Sequence, residues 1–146
     1  MRTPRLRLLL ILSLLALLGV FLAVVLLPRT LTVPTAPAVP AAREAFEARR
    51  SGVWLGVEGE VYRILRDDLK GRRHQRFLIR LEDGLSLLIS HNISLTPRVP
   101  VAVGDRVEAY GRYEWNKKGG LLHWTHRDPQ GRRPGGWVKH RGKTYR

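Results

Sequence analysis

The sequence predicts an all-β domain, a small antiparallel barrel, preceded by one transmembrane helix and a Pro/Ala-rich linker. Three observations predict it. From residue 53 onward apolar and polar side chains alternate with a period of two, the pattern of half-buried strands. Glycine-containing turns break that pattern at short intervals, as small barrels require. Residues 8–27 form a separate run that is apolar except at Ser13 and Gly19, long enough to cross a hydrocarbon core as a helix.

The N-terminal third organises itself around that run. Residues 1–7 carry Arg2, Arg5 and Arg7 and no acid, so they stay cytoplasmic and the C-terminal bulk lies outside. The expected location is a bacterial inner membrane, crossed once, with the domain in the periplasm. A cleaved secretory signal is the alternative, but its apolar core spans only ~7–15 residues. The small-x-small triplet Ala36-Pro37-Ala38 also lies far beyond the apolar run. Residues 28–40, with Pro28, Pro34, Pro37 and Pro40, read as a stiff spacer. Residues 41–51 begin with helix formers around a single large apolar side chain, Phe46, and predict a short, mostly solvated helix.

The folded domain is residues 52–146. A first strand covers 54–65, with Gly56 and Gly59 inside it as candidate bend or bulge points, and 66–71 is a loop. The next two strands form a hairpin whose register follows from burial. A two-residue Asp-Gly turn would put Phe77, Ile79 and Leu81 on the opposite face from Leu85, Leu87 and Ile89. A three-residue loop with Gly84 left-handed pairs Leu81 with Leu85 and Phe77 with Ile89, so both apolar sets share a face. The same register pairs Gln75 with His91 and His74 with Asn92. A fourth strand covers 106–115, with Val107, Ala109, Gly111, Tyr113 and Trp115 on one face. A fifth covers 121–126, and 137–140 and 143–145 make a last pair around Arg141-Gly142. Five short strands with a glycine-bent first strand predict the oligonucleotide/oligosaccharide-binding (OB) topology; an SH3-like barrel is the runner-up.

Composition excludes some chemistry and favours other kinds. The 146 residues contain no cysteine, which removes thiolate catalysis, disulfides and cysteine-ligated zinc. There are 26 Lys and Arg against 12 Asp and Glu, a net charge of +14, which favours polyanionic partners such as nucleic acid, anionic lipid or glycan. The charge is concentrated late, since residues 111–146 hold ten Lys and Arg against Glu114 and Asp128. Tyr113, Trp115, Trp124, Trp137 and Tyr145 are interleaved with them. Cations for phosphates and aromatic faces for bases are what single-strand binding needs. The candidate binding residues are Arg73, His74, Arg76, Asn92, Trp124, His126, Arg127, Arg132 and Trp137.

Two other readings follow from the five histidines. A histidine-dependent phosphodiester hydrolase would draw on His74, His91, Asn92, His123 and His126, with Asp67 and Asp68 closing over the site. No P-loop, nucleophile elbow or paired-carboxylate motif accompanies them. A divalent metal would take His126 and Asp128, which share a face if the fifth strand stays regular to that point. A third reading is an interaction partner of another envelope protein.

The segments RHQRF (73–77), ISHNI (89–93), YEWN (113–116), KGG (118–120) and HWTHRDP (123–129) resemble a family of small exported bacterial proteins defined only as a domain of unknown function. The resemblance covers roughly residues 52–145 and implies the exported location but no activity. That family often carries a histidine where this chain has Arg133, so a ligand at that position would be missing here. A looser, architectural likeness is to membrane-anchored periplasmic haem chaperones, with His140 and Tyr145 in the region of their C-terminal histidine.

Overall fold

A computed structural model of the chain describes residues 39–146, which form one helix and seven strands. The predicted span at 8–27, the basic residues before it and the linker to residue 38 lie outside the described residues. Among the described residues no helix is long and apolar enough to cross a membrane.

Helix α1 is Val39–Glu47. It starts earlier than the sequence predicts and is less solvated, because Ala42 and Ala45 are fully buried against the strands. Arg43 fastens it, with Nε donating to Asp83 Oδ2 at 2.9 Å and Nη2 donating to the Asp83 carbonyl at 3.0 Å.

The strands are β1 (Val53–Asp68), β2 (His74–Arg80), β3 (Ser86–Asn92), β4 (Arg106–Glu114), β5 (Leu121–His123), β6 (Trp137–His140) and β7 (Lys143–Tyr145). They form one sheet in the order β1-β2-β3-β5-β4-β6-β7, and β1 also pairs with β4. That second pairing closes β1, β2, β3, β5 and β4 into an irregular ring, with β6 and β7 attached outside it. The fold is all-β, as predicted, but not wholly antiparallel. β5 runs parallel to β3, with Leu88 opposite Leu121 and Ile89 opposite Leu122, because β4 lies between them in sequence.

The β2–β3 hairpin adopts the register derived from burial. Phe77 faces Ile89, Ile79 faces Leu87, Gln75 faces His91 and His74 faces Asn92. The Leu81 amide donates to the Leu85 carbonyl at 2.9 Å, and Gly84 has φ +83°, as the three-residue loop requires. Phe77, Ile79, Leu87, Ile89, Leu122 and Val57 are all fully buried and fill the ring, and Val138 on β6 belongs to the same buried cluster.

Three expectations are corrected. β1 continues to Asp68 instead of ending at 65, through register shifts between Val61 and Arg63 and between Leu65 and Asp68. The irregularities therefore fall beyond Gly56 and Gly59. Gly59 serves a close approach instead, since a Cβ there would lie 2.6 Å from the Arg80 carbonyl oxygen. Strand β5 stops at His123 and not 126, because Trp124 takes a left-handed φ of +57°, which ends a strand.

Candidate functional site

One end of the ring is closed by polar side chains, which strands supply at the tips of otherwise apolar faces. Gln75, His91, Asn92, Thr96, Thr125 and His126 are all at least nine-tenths buried there. The Gln75 amide holds the segment after β3, donating from Nε2 to the Val99 carbonyl at 2.7 Å and accepting the Val99 N–H at 2.9 Å. His91 has both ring nitrogens engaged, Nδ1 with Thr125 Oγ1 at 2.9 Å and Nε2 with the Pro97 carbonyl at 3.3 Å. A carbonyl only accepts, so Nε2 carries the proton and Nδ1 accepts from the threonine hydroxyl. Burial pushes the His91 imidazole down to about 4, and the neighbouring His126 and His74 disfavour its charge further.

Four of the five histidines gather near this end. His74 lies close enough to His91 and to His123 to disfavour charge on each. His123 stands opposite Arg112 on β4, with Nε2 3.5 Å from the Glu114 carboxylate, and its burial lowers its proton affinity. His126 stacks on Trp124, ring centroids 5.7 Å apart, and its Nδ1 donates to the Arg127 carbonyl at 2.6 Å. His140 is elsewhere, with Nε2 2.8 Å from Asp105. The Asp105 carboxyl is held at about 2, first by the Ala102 amide and then by Arg141.

Proximity does not assemble these groups around an ion. Among the described residues no three His, Asp or Glu side chains come together as ligands would. The proposed pair of His126 and Asp128 loses its shared face where β5 ends. Asp128 instead accepts the backbone N–H groups of Gln130, Arg132 and Arg133, at 3.2, 2.8 and 2.9 Å. Those bonds hold its carboxyl below the usual range and shape the turn that displays Arg132 and Arg133. Arg127 and Arg132 are exposed, and the Arg133 guanidinium sits 4.4 Å from the Trp124 ring centroid.

The other candidate residues divide into displayed and internally used groups. Arg73 is exposed. Arg76 donates from Nε and Nη2 to the Arg66 carbonyl at 3.0 and 2.8 Å, and buried Asn92 accepts the Ser94 N–H at 3.0 Å. Asp67 pairs with Arg98 and Asp68 accepts the Lys70 N–H at 3.0 Å. Tyr113 and Tyr145 are core residues, and Trp115 packs against the core.

Trp137 takes part in an arrangement that local sequence patterns do not disclose. Tyr110 on β4 faces Trp137 on β6, with ring centroids 6.3 Å apart and planes tilted by 26°. Trp54 on β1 lies 5.8 Å from Tyr110 on its other side. The residue of β1 paired with Tyr110 is Gly56, which has no side chain. The three aromatics alternate with buried Leu55, Ala109 and Val138, so they share the face turned away from the core, where each remains half-buried. Arg112 lies beside them, opposite Trp54 on β1 and His123 on β5. Trp54, Tyr110 and Arg112 were absent from the predicted binding set. Their outward parity was legible, but their adjacency depends on β1, β4 and β6 being neighbours.

The loop leading into Trp137 joins the row to the basic segment. The Gly136 N–H donates to the His126 carbonyl at 2.9 Å, and a Cβ at Gly136 would strike the Tyr110 and Trp124 carbonyl oxygens. The Arg127–Arg133 stretch is thereby tied to the end of the aromatic row. Residues 24–146 match a family described as a protein of unknown function, DUF3465, and no curated protein matches the chain.

Proposed function

The chain belongs to the DUF3465 family, and we propose that it is a non-enzymatic binding module whose aromatic face takes single-stranded nucleic acid. The observation that carries this reading is the row Trp54–Tyr110–Trp137, with spacings of 5.8 and 6.3 Å. A row of half-buried rings across three strands offers successive π faces, and each stacked base contributes about 1–3 kcal/mol. Arg127, Arg132 and Arg133 at the end of the row supply the cations that phosphates need. The strand order β1-β2-β3-β5-β4, closed by β1–β4 and with β3 parallel to β5, supports an OB-type framework. The predicted span at residues 8–27 would hold this module at the membrane, facing the periplasm.

The hydrolase reading has less support. His91 is neutral with both nitrogens engaged, His126 spends Nδ1 on a backbone carbonyl, and Asn92 is buried. The binding reading is tested by fluorescence anisotropy of a labelled single-stranded oligonucleotide across a salt series. Three arginine–phosphate contacts give a slope of log affinity against log salt of about −2. Absent binding, or binding insensitive to salt, overturns the reading.

A further inference from the structure

We infer that the tip of the β1–β2 hairpin is a docking element for an anionic lipid surface, separate from the aromatic face. Beyond Glu60, β1 leaves β4 and pairs only with β2. The two-stranded ribbon that results has exposed residues on both faces, including Arg63 and Ile64. Its loop carries Leu69, which is 67% exposed, and the segment after β3 carries Leu95, 40% exposed. The two segments lie side by side, because the Arg73 N–H donates to Ser94 Oγ at 3.0 Å and Asp67 pairs with Arg98. Apolar side chains displayed at a loop tip mark an interaction surface.

The charge around the tip selects the partner. Lys70, Arg72 and Arg73 are exposed, and among the described residues no carboxylate pairs with any of them. Of the two nearby acids, Asp67 is paired with Arg98, while Asp68 accepts the Lys70 N–H and keeps its charge, so Lys70, Arg72 and Arg73 still leave the tip net positive. Two exposed leucines on adjoining segments, with Lys70, Arg72 and Arg73 exposed in the same loop as Leu69, match a bilayer with anionic headgroups, where leucine enters the acyl boundary and the cations stay among the phosphates. A nucleic acid would meet the cations but leave the leucines unsatisfied. The sequence also places a bilayer within reach. Eleven residues, 28–38, separate the apolar run from α1, and an extended proline-rich chain of that length covers about 34 Å.

The test uses the full chain, which has no native cysteine, carrying Leu69→Cys labelled with an environment-sensitive fluorophore. The control label is Lys117→Cys, in the β4–β5 turn whose Gly119 lies against Ser86, at the opposite end of the β2–β3 hairpin. With the chain in vesicles of mixed anionic and zwitterionic lipid, brominated acyl chains should quench the label at 69 and not at 117. Replacing Lys70 and Arg72 by Gln should lower the ratio of docked to undocked tip about five-fold per charge removed. The inference is overturned if the label at 69 is quenched no more than the label at 117. Equal quenching in purely zwitterionic vesicles overturns it too, as does a response of that label to single-stranded oligonucleotide in place of lipid. Because the aromatic face is untouched by these changes, oligonucleotide affinity measured on the same variants separates this inference from the proposed function.

Discussion

Acid should unfold this domain through His91. The perturbation is a drop in pH from 7.5 to 4, and its main target is an imidazole with no exposed surface. In the folded chain that imidazole stays neutral until about pH 4, whereas its ordinary value is 6.5. Between those values the unfolded chain binds the proton and the folded chain does not, so stability rises with pH across this window. The full contribution is present above pH 6.5 and is lost as pH falls toward 4. The difference corresponds to about 3 kcal/mol, with about 1 kcal/mol already lost by pH 5.5. Asp105 is shifted in the same direction and likewise loses stability as pH falls. Its carboxyl is held at about 2 against an ordinary 3.8, so its contribution is lost only below this window. His123 is also lowered by burial and adds a loss of the same sign as His91. Urea unfolding followed by tryptophan fluorescence at pH 7.5, 5.5 and 4.5 measures the slope, and His91→Gln isolates the residue. The glutamine cannot titrate, so that variant should be weaker than the wild type at pH 7.5 yet lose much less stability on acidification. Equal slopes for the two proteins would refute the assignment to His91.

Other perturbations follow from single contacts. Leu122→Ala, at a fully buried site on the three-residue strand β5, should cost about 2–5 kcal/mol in chemical denaturation. Gly120 has φ +107°, and a Cβ there would strike the Tyr113 ring. Gly120→Ala should therefore lower stability by at least about 2 kcal/mol, read as a shift in the urea midpoint. Trp137→Ala removes one ring of the aromatic row while leaving the core intact, and should weaken oligonucleotide binding by about 1–3 kcal/mol with little change in stability.

The parts of the fold that depend on near neighbours were legible in the sequence. The β2–β3 register followed from matching Phe77, Ile79 and Leu81 to Leu85, Leu87 and Ile89, because a one-residue slip would have exposed one set. The length of β1 was not legible, since Arg66-Asp67-Asp68 has loop composition and is held as strand by pairing with β2. The end of β5 was missed because nothing local in LLHWTH signals a left-handed tryptophan. Burial of Ala42 and Ala45 was missed for a different reason, as small side chains give little hydropathy signal while fitting closely against a sheet. The aromatic row is the most non-local feature. Trp54 and Trp137 are 83 positions apart in the numbering, and only the β1–β4 and β4–β6 pairings bring them to either side of Tyr110.

The measurement that bears most directly on the proposed function is photo-crosslinking of a halouracil-substituted single-stranded oligonucleotide, with the attached residues identified by mass spectrometry. Bases stacked on the outer face should crosslink to Trp54, Tyr110 or Trp137, and the yield should fall as salt is raised. Crosslinks confined to residues away from this row, or none at low salt, would contradict the assignment of this face as the binding surface.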